Sequence, residues 1–186
     1  MIENQQFERV NLNDKSLLAT CYENCQFNNC DFSNGNLYDF KFEDCEFFEC
    51  NFSLVNLAGT AFRNVQFKDC KMLGLHFDDC TTFGLAFSFE NCTLNHSSFY
   101  KLIIKQTNFL NCSLEAVDFT ETDLTQSNFA KSVLKDAVFE RSNLEKCDFR
   151  NALSYSFDPE LNRIKKAKFS RDSVIGLLAK YSIEIE

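Results

Sequence analysis

Tryptophan is absent from this 186-residue chain, proline occurs once and glycine five times. So little glycine and proline excludes a collagen-like chain, and 45% hydrophobic residues exclude low-complexity and disordered readings. No apolar run approaches the roughly 20 residues of a membrane span, and Met1-Ile2-Glu3-Asn4 lacks a basic start followed by an apolar stretch. A cytoplasmic protein is therefore expected. Basic residues are also in deficit, 19 against 27 acidic ones for a net charge of −8. That balance repels phosphates and anionic membranes and favours a cationic partner surface. Residues 1–80 hold most of it, with 13 acids and 6 bases.

The motifs of chemistry are missing too. No C-x-x-C occurs, and His76 and His96 complete no zinc pattern. There is no glycine-rich phosphate loop, no G-x-S-x-G and no H-E-x-x-H. Carboxylate pairs such as Asp78-Asp79 lie where solvent should reach them. The expectation is a protein without catalytic residues, metal or cofactor. Ten cysteines without a secretory leader argue against disulfides.

What the chain does have is 22 phenylalanines and a period of five. Large apolar residues run without exception from Phe7 through Phe27, Phe47 and Phe67 to Phe77, and again from Leu94 through Phe99, Phe109, Phe119, Phe129 and Phe139 to Phe149. Two residues before each sits a smaller position, which nine of the ten cysteines occupy, Cys30, Cys50 and Cys70 among them. Positions two apart in extended backbone share a side, so both point inward and the remaining residues turn a corner. A buried free cysteine serves there as a small hydrophobe. Phe99, Phe119 and Phe139 stand twenty apart, as do Phe109, Phe129 and Phe149, and Cys30, Cys50 and Cys70. Twenty residues make a coil of four sides, and about seven coils stacked at about 4.8 Å give a rod of roughly 35 Å.

The pattern changes along the chain. Asn, Asp or Gly follows the large residue by two at eleven of fifteen sites in the first run, Asp14 and Asn24 included, but only at Asn111, Asp136 and Asn151 in the second. Different turn types in the two halves are expected. Two extra residues between Phe77 and Leu94 predict a slip near 78–93, where Thr82 stands in a large-residue slot and Phe83, Leu85, Phe87 and Phe89 compete for it. Asp158-Pro159 reads as the start of a short helix. Val174, Leu177, Leu178 and Tyr181 read as an amphipathic helix over about 170–181, with Ile183 to Glu186 as a terminal strand.

Stretches such as Cys30-Asp31-Phe32-Ser33-Asn34, Val117-Asp118-Phe119-Thr120-Glu121 and Thr122-Asp123-Leu124-Thr125-Gln126 resemble the A(D/N)LXX signature of the pentapeptide-repeat family. The resemblance covers about residues 7–157. It implies an all-β fold, a right-handed quadrilateral β-helix over residues 1–157, with residues 158–186 as a C-terminal cap whose α-helix, about 170–181, also serves dimerisation. In quinolone-resistance and microcin-immunity members a similar tail joins two rods, which implies a homodimer through Val174, Leu177, Leu178 and Tyr181. In some relatives the acidic rod resembles duplex DNA and occupies the DNA-binding saddle of DNA gyrase. The same role here implies a topoisomerase partner, gyrase or topoisomerase IV, and protection from gyrase-targeting drugs or toxins. Asp39, Glu43, Asp44, Glu46 and Glu49, with only Lys41 opposing, form the candidate contact face. The chain lacks the long loops of many quinolone-resistance members and looks more like the immunity type. The alternative is a scaffold that binds another protein through its flat sides.

Overall fold

The structure, a computed structural model, describes residues 1–12, 17 and 20–184. Among these residues ten short strands are all parallel: β1 (Ile2–Glu3), β2 (Gln6–Glu8), β3 (Cys21–Glu23), β4 (Gln26–Asn28), β5 (Lys41–Glu43), β6 (Glu46–Phe48), β7 (Ala61–Arg63), β8 (Val65–Lys68), β9 (Phe87–Glu90) and β10 (Phe109–Leu110). They form two sheets, β1-β3-β5-β7 and β10-β9-β8-β6-β4-β2. Two further sides are ladders of single bridges, Asn11 to Asp31 to Asn51 to Lys71 and Asn36 to Asn56. The result is a β-solenoid with four ladders, in which each residue pairs with the one twenty positions on, as Tyr22 does with Phe42 and Phe27 with Phe47. Pairing continues past Asp158-Pro159, with Asn143 bridging Arg163 and Asp148 bridging Lys168.

The interior consists of columns. Along one side phenylalanines stack from Phe7 through Phe27, Phe47, Phe67, Phe89, Phe109, Phe129 and Phe149 to Phe169, with ring centroids 4.7 to 5.4 Å apart. A second column runs Phe77, Phe99, Phe119, Phe139. Neighbouring sides meet edge to face, as Phe109 does with Phe119 at 80°. Both geometries suit the aromatic quadrupole and add about 0.5–1.5 kcal/mol per pair beyond burial. Phe7 and Phe169, at the ends of their column, are only partly buried. The nine cysteines expected inside are buried and unpaired, and Cys21 is partly exposed. Burial pushes the Cys45 and Cys147 thiols up to about 12.

Corners differ from the expectation in one respect. A left-handed residue follows the large one by two in both halves, including His96, Lys101, Gln106, Ala116 and Glu121. The corner therefore imposes its conformation on residues that carry no intrinsic preference for it. What varies is how a corner closes. Some close with a hydrogen bond of type II geometry, as Gly35 N–H to Phe32 O (2.9 Å) and Leu102 N–H to Phe99 O (3.1 Å). Others are spliced by a side chain from the next coil. Cys50 Sγ donates to Phe27 O (3.2 Å) and accepts from Cys30 N–H (3.4 Å). Ser132 Oγ does the same between Phe109 O and Cys112 N–H, both at 2.9 Å. Ser97, Ser127 and Asn162 repeat it at other corners. The small inward position is thus also a hydrogen-bonding one, which satisfies backbone groups that burial would otherwise leave orphaned.

The ladder register changes after Phe77. The register of twenty becomes twenty-two, with Val65 opposite Phe87, Lys71 opposite Thr93 and His76 opposite Ser98. Phe87 and Phe89 turn inward, Leu85 is half-buried, and Thr82, Phe83 and Gly84 are exposed. Phe87 takes an inward position that is small in other coils and lies tilted against Phe77 and Phe89.

The tail departs from the sequence reading. Asp158-Pro159 forms a turn, not a helix, with Asp158 Oδ1 accepting from Glu160 N–H at 2.9 Å. Residues 171–173 are a turn, and the following helix, Val174–Tyr181, is 3₁₀ rather than α. Leu177 is buried, whereas Val174, Leu178 and Tyr181 are 39–53% exposed. A Cβ on Gly176 would stand 2.0 Å from Tyr155 O, so the helix backbone rests directly on the backbone of the last coil. The i, i+3, i+4, i+7 stripe needs 3.6 residues per turn, and a three-residue turn breaks it. Ile183 and Glu184 are not in a strand, and Ile185 and Glu186 lie outside the described residues, as does Asp14.

Two outcomes test this packing. Phe119 is 0% exposed between Phe99 and Phe139, so Phe119→Asp should abolish the cooperative thermal transition, and a soluble variant melting cooperatively would contradict the column. Ser132→Ala should cost about 1–3 kcal/mol in denaturant unfolding, because it orphans a buried donor and acceptor. Ser132→Cys should retain most of that stability, as Cys50 fills the same role.

Candidate interaction surface

Outward residues also stack in columns, and this decides which acidic groups meet. Glu23 pairs in register with Glu3 below and Glu43 above. Glu46 lies on the adjoining side, over Gln26, and Asp44 occupies the left-handed corner between them. Glu43, Asp44 and Glu46 therefore share one edge of the rod, extended by Glu3 and Glu23. Asp39 and Glu49 occupy the left-handed corners on either side, so the five candidate residues span two adjacent sides of one coil and do not form a single plane.

The edge is mostly buffered by amides. Gln26 Nε2 donates to Glu46 Oε2 (3.1 Å), and Asn64 Nδ2 to Asp44 Oδ1 (2.5 Å). An amide above a carboxylate supplies a donor where a second carboxylate would repel. The column Glu3, Glu23, Glu43 stacks acid on acid, and it ends at Arg63, whose Nη1 lies 3.4 Å from Glu43 Oε2. Arg63, not Lys41, is thus the paired opposing base. Its guanidinium also lies over the Phe83 ring, 5.5 Å from the centroid. The sequence hint was available: Arg63 lies twenty residues after Glu43.

A basic end went unread in the sequence. Lys165 and Lys166 continue the columns of Glu43 and Asp44, and Lys168 continues that of Glu46 through Asn128 and Asp148. With Lys146 they are exposed, and Lys146, Asp148, Lys166 and Lys168 line a shallow groove with Asn108 and Asn128. Asp148 is already engaged by Arg150 (2.6 Å), which holds its carboxyl below the usual range, and Glu145 is engaged by Arg163 (2.8 Å).

No group of three or more His, Cys, Asp or Glu side chains among the described residues is placed to hold a metal ion. His76 and His96 are exposed, His76 3.6 Å from Asp78. No helix among the described residues is long and apolar enough to cross a membrane. What the geometry offers is a ladder-built rod with patterned outer columns, the class of β-solenoid proteins that present surfaces to partners.

Residues 20–88 and 85–149 match the family model described as the pentapeptide repeat region. The chain belongs to the pentapeptide-repeat family. No curated protein matches it in sequence. Among solved structures it is similar to a trypsin-treated variant of QnrB1, a plasmid-mediated fluoroquinolone resistance protein, at 16% identity and a TM-score of 0.67, over 98% of this chain and 99% of that one. It is also similar to HetL from the cyanobacterium Nostoc sp. strain PCC 7120, a pentapeptide repeat protein involved in heterocyst differentiation regulation. There the identity is 12% and the TM-score 0.66, over 89% of this chain and 84% of that one. At these identities the likeness is one of fold.

The acid column yields a direct test. Glu23→Gln should raise the melting temperature, since it relieves repulsion from Glu3 and Glu43, and the gain should shrink between 20 mM and 500 mM salt. An unchanged or lowered melting temperature at low salt would mean that the column is already neutralised.

Proposed function

We propose that this protein is a non-enzymatic interaction rod of the cytoplasm whose acidic edge, Glu43, Asp44 and Glu46 with Asp39 and Glu49 beside it, engages a basic surface on a protein partner. DNA gyrase or topoisomerase IV is the partner this reading names, with the rod standing in for duplex DNA and shielding the enzyme from drugs or toxins. The observation that carries it is the run of five carboxylates, Glu3, Glu23, Glu43, Asp44 and Glu46, along one edge of the first coils. Likeness of fold to QnrB1 supports it. Two elements complete the reading. The coil winds right-handed, as parallel crossover connections do. The segment after Phe169, beyond the last ladder residue Lys168, caps the last coil and joins two copies tail to tail, a role supported by exposed Val174, Leu178 and Tyr181 beside buried Leu177. The second reading is a scaffold for some other protein, with which the likeness to HetL is equally compatible.

Titration into gyrase supercoiling and fluoroquinolone cleavage assays separates the two. Inhibition or drug protection that weakens with salt, and that Glu43→Lys/Glu46→Lys abolishes, is expected. No effect at micromolar protein would leave the scaffold reading standing and overturn the gyrase one.

A further inference from the structure

One edge of the rod changes character along its length. Its first coils carry Glu3, Glu23, Glu43, Asp44 and Glu46. Its last coils carry Lys146, Lys165, Lys166 and Lys168, which form no ion pair within 4.0 Å among the described residues. Between them, at the two-residue slip, Phe83 is 78% exposed and Ile103, the outward residue of the same side one coil on, is 68% exposed.

Acid, apolar and basic in that order is a self-complementary sequence. We propose that this edge pairs with the same edge of a second copy, the two rods lying side by side and antiparallel. The end of each copy that carries Glu23 and Glu43 then faces the end of the other that carries Lys165 and Lys146, and Phe83 of each copy meets Ile103 of the other across the two-fold axis. A parallel pairing would place acid on acid. A staggered head-to-tail pairing would satisfy one charged end only and would not close. The antiparallel arrangement uses both charged ends and the apolar middle together. The carboxylates within the basic end leave its lysines free, because Asp148 and Glu145 are held by Arg150 and Arg163.

The contact is a strip. At about 4.8 Å per coil it runs roughly 40 Å, and at about 10–15 Å wide it falls below the roughly 800 Å² per partner of a standard interface. Association should therefore be weak, with a Kd on the order of 10 µM, and should depend strongly on salt. It also covers Glu43, Asp44 and Glu46, so pairing and the partner contact of the proposed function exclude one another.

The test uses sedimentation velocity at 5–500 µM protein in 25 mM and 500 mM NaCl, with X-ray scattering for length. All variants carry Leu178→Glu/Tyr181→Glu, so that tail-to-tail pairing is removed and its presence or absence is read separately. The expected result is a dimer at low salt, no longer than the monomer, that dissociates at high salt. Glu43→Lys/Glu46→Lys and Lys165→Glu/Lys166→Glu should each be monomeric alone and should form a heterodimer when mixed, since each then supplies what the other lacks. Should a charge variant fail to fold, judged by circular dichroism, exposed Phe83→Ser replaces it and is expected to weaken the dimer at least fivefold. A monomer at 500 µM and low salt, a mixture that stays monomeric, or a dimer of doubled length would overturn the inference.

Discussion

A coil of this protein cannot bury its own interior. Each is a single layer of backbone about 4.8 Å thick, so the rings of Phe109 are removed from water only because Phe89 and Phe129 lie above and below. Every other feature follows from that dependence. Backbone donors must reach the next coil in register, the register must be held for the columns to align, and an insertion must be absorbed without displacing a column. The slip after Phe77 meets that last condition. Two residues bulge out at Phe83 and Gly84, and the phenylalanine column resumes at Phe89.

How much of this was legible depends on whether a feature repeats. The inward pairs, the twenty-residue coil and the position of the slip follow from spacing alone. The fate of the slip does not, because Phe83 and Phe87 are chemically identical and only packing against Val65 and Phe77 sends one inward. Corner chemistry misled in another way. Asn and Asp mark left-handed corners when present, but Ala116 and Lys101 adopt the same conformation because the ladder on both sides fixes it. The spliced corners were invisible because they join a side chain to backbone twenty or more residues away. Cys50, read as a small hydrophobe, also bridges Phe27 and Cys30.

The candidate surface divides similarly. Glu43, Asp44 and Glu46 come together because sequence neighbours around a corner remain neighbours in space, whereas Asp39 and Glu49 fall on adjacent corners. Arg63 and the lysines of the last coils belong to the same edge only through the columns. The tail was misread because an apolar stripe at α-helical spacing says nothing about how closely the helix must approach. Gly176 against Tyr155 O sets that approach. A solenoid thus converts a one-dimensional pattern into columns of outward side chains, and those columns carry its charge code.

The dependence of each coil on its neighbours is most directly measured by native-state hydrogen exchange along the rod. The slowest amides should be those of the middle coils, such as Phe99, Phe109 and Phe119, with protection falling steadily toward Phe7 and Phe169. Uniformly weak protection, or the slowest exchange at the ends, would contradict a fold held together by stacking alone.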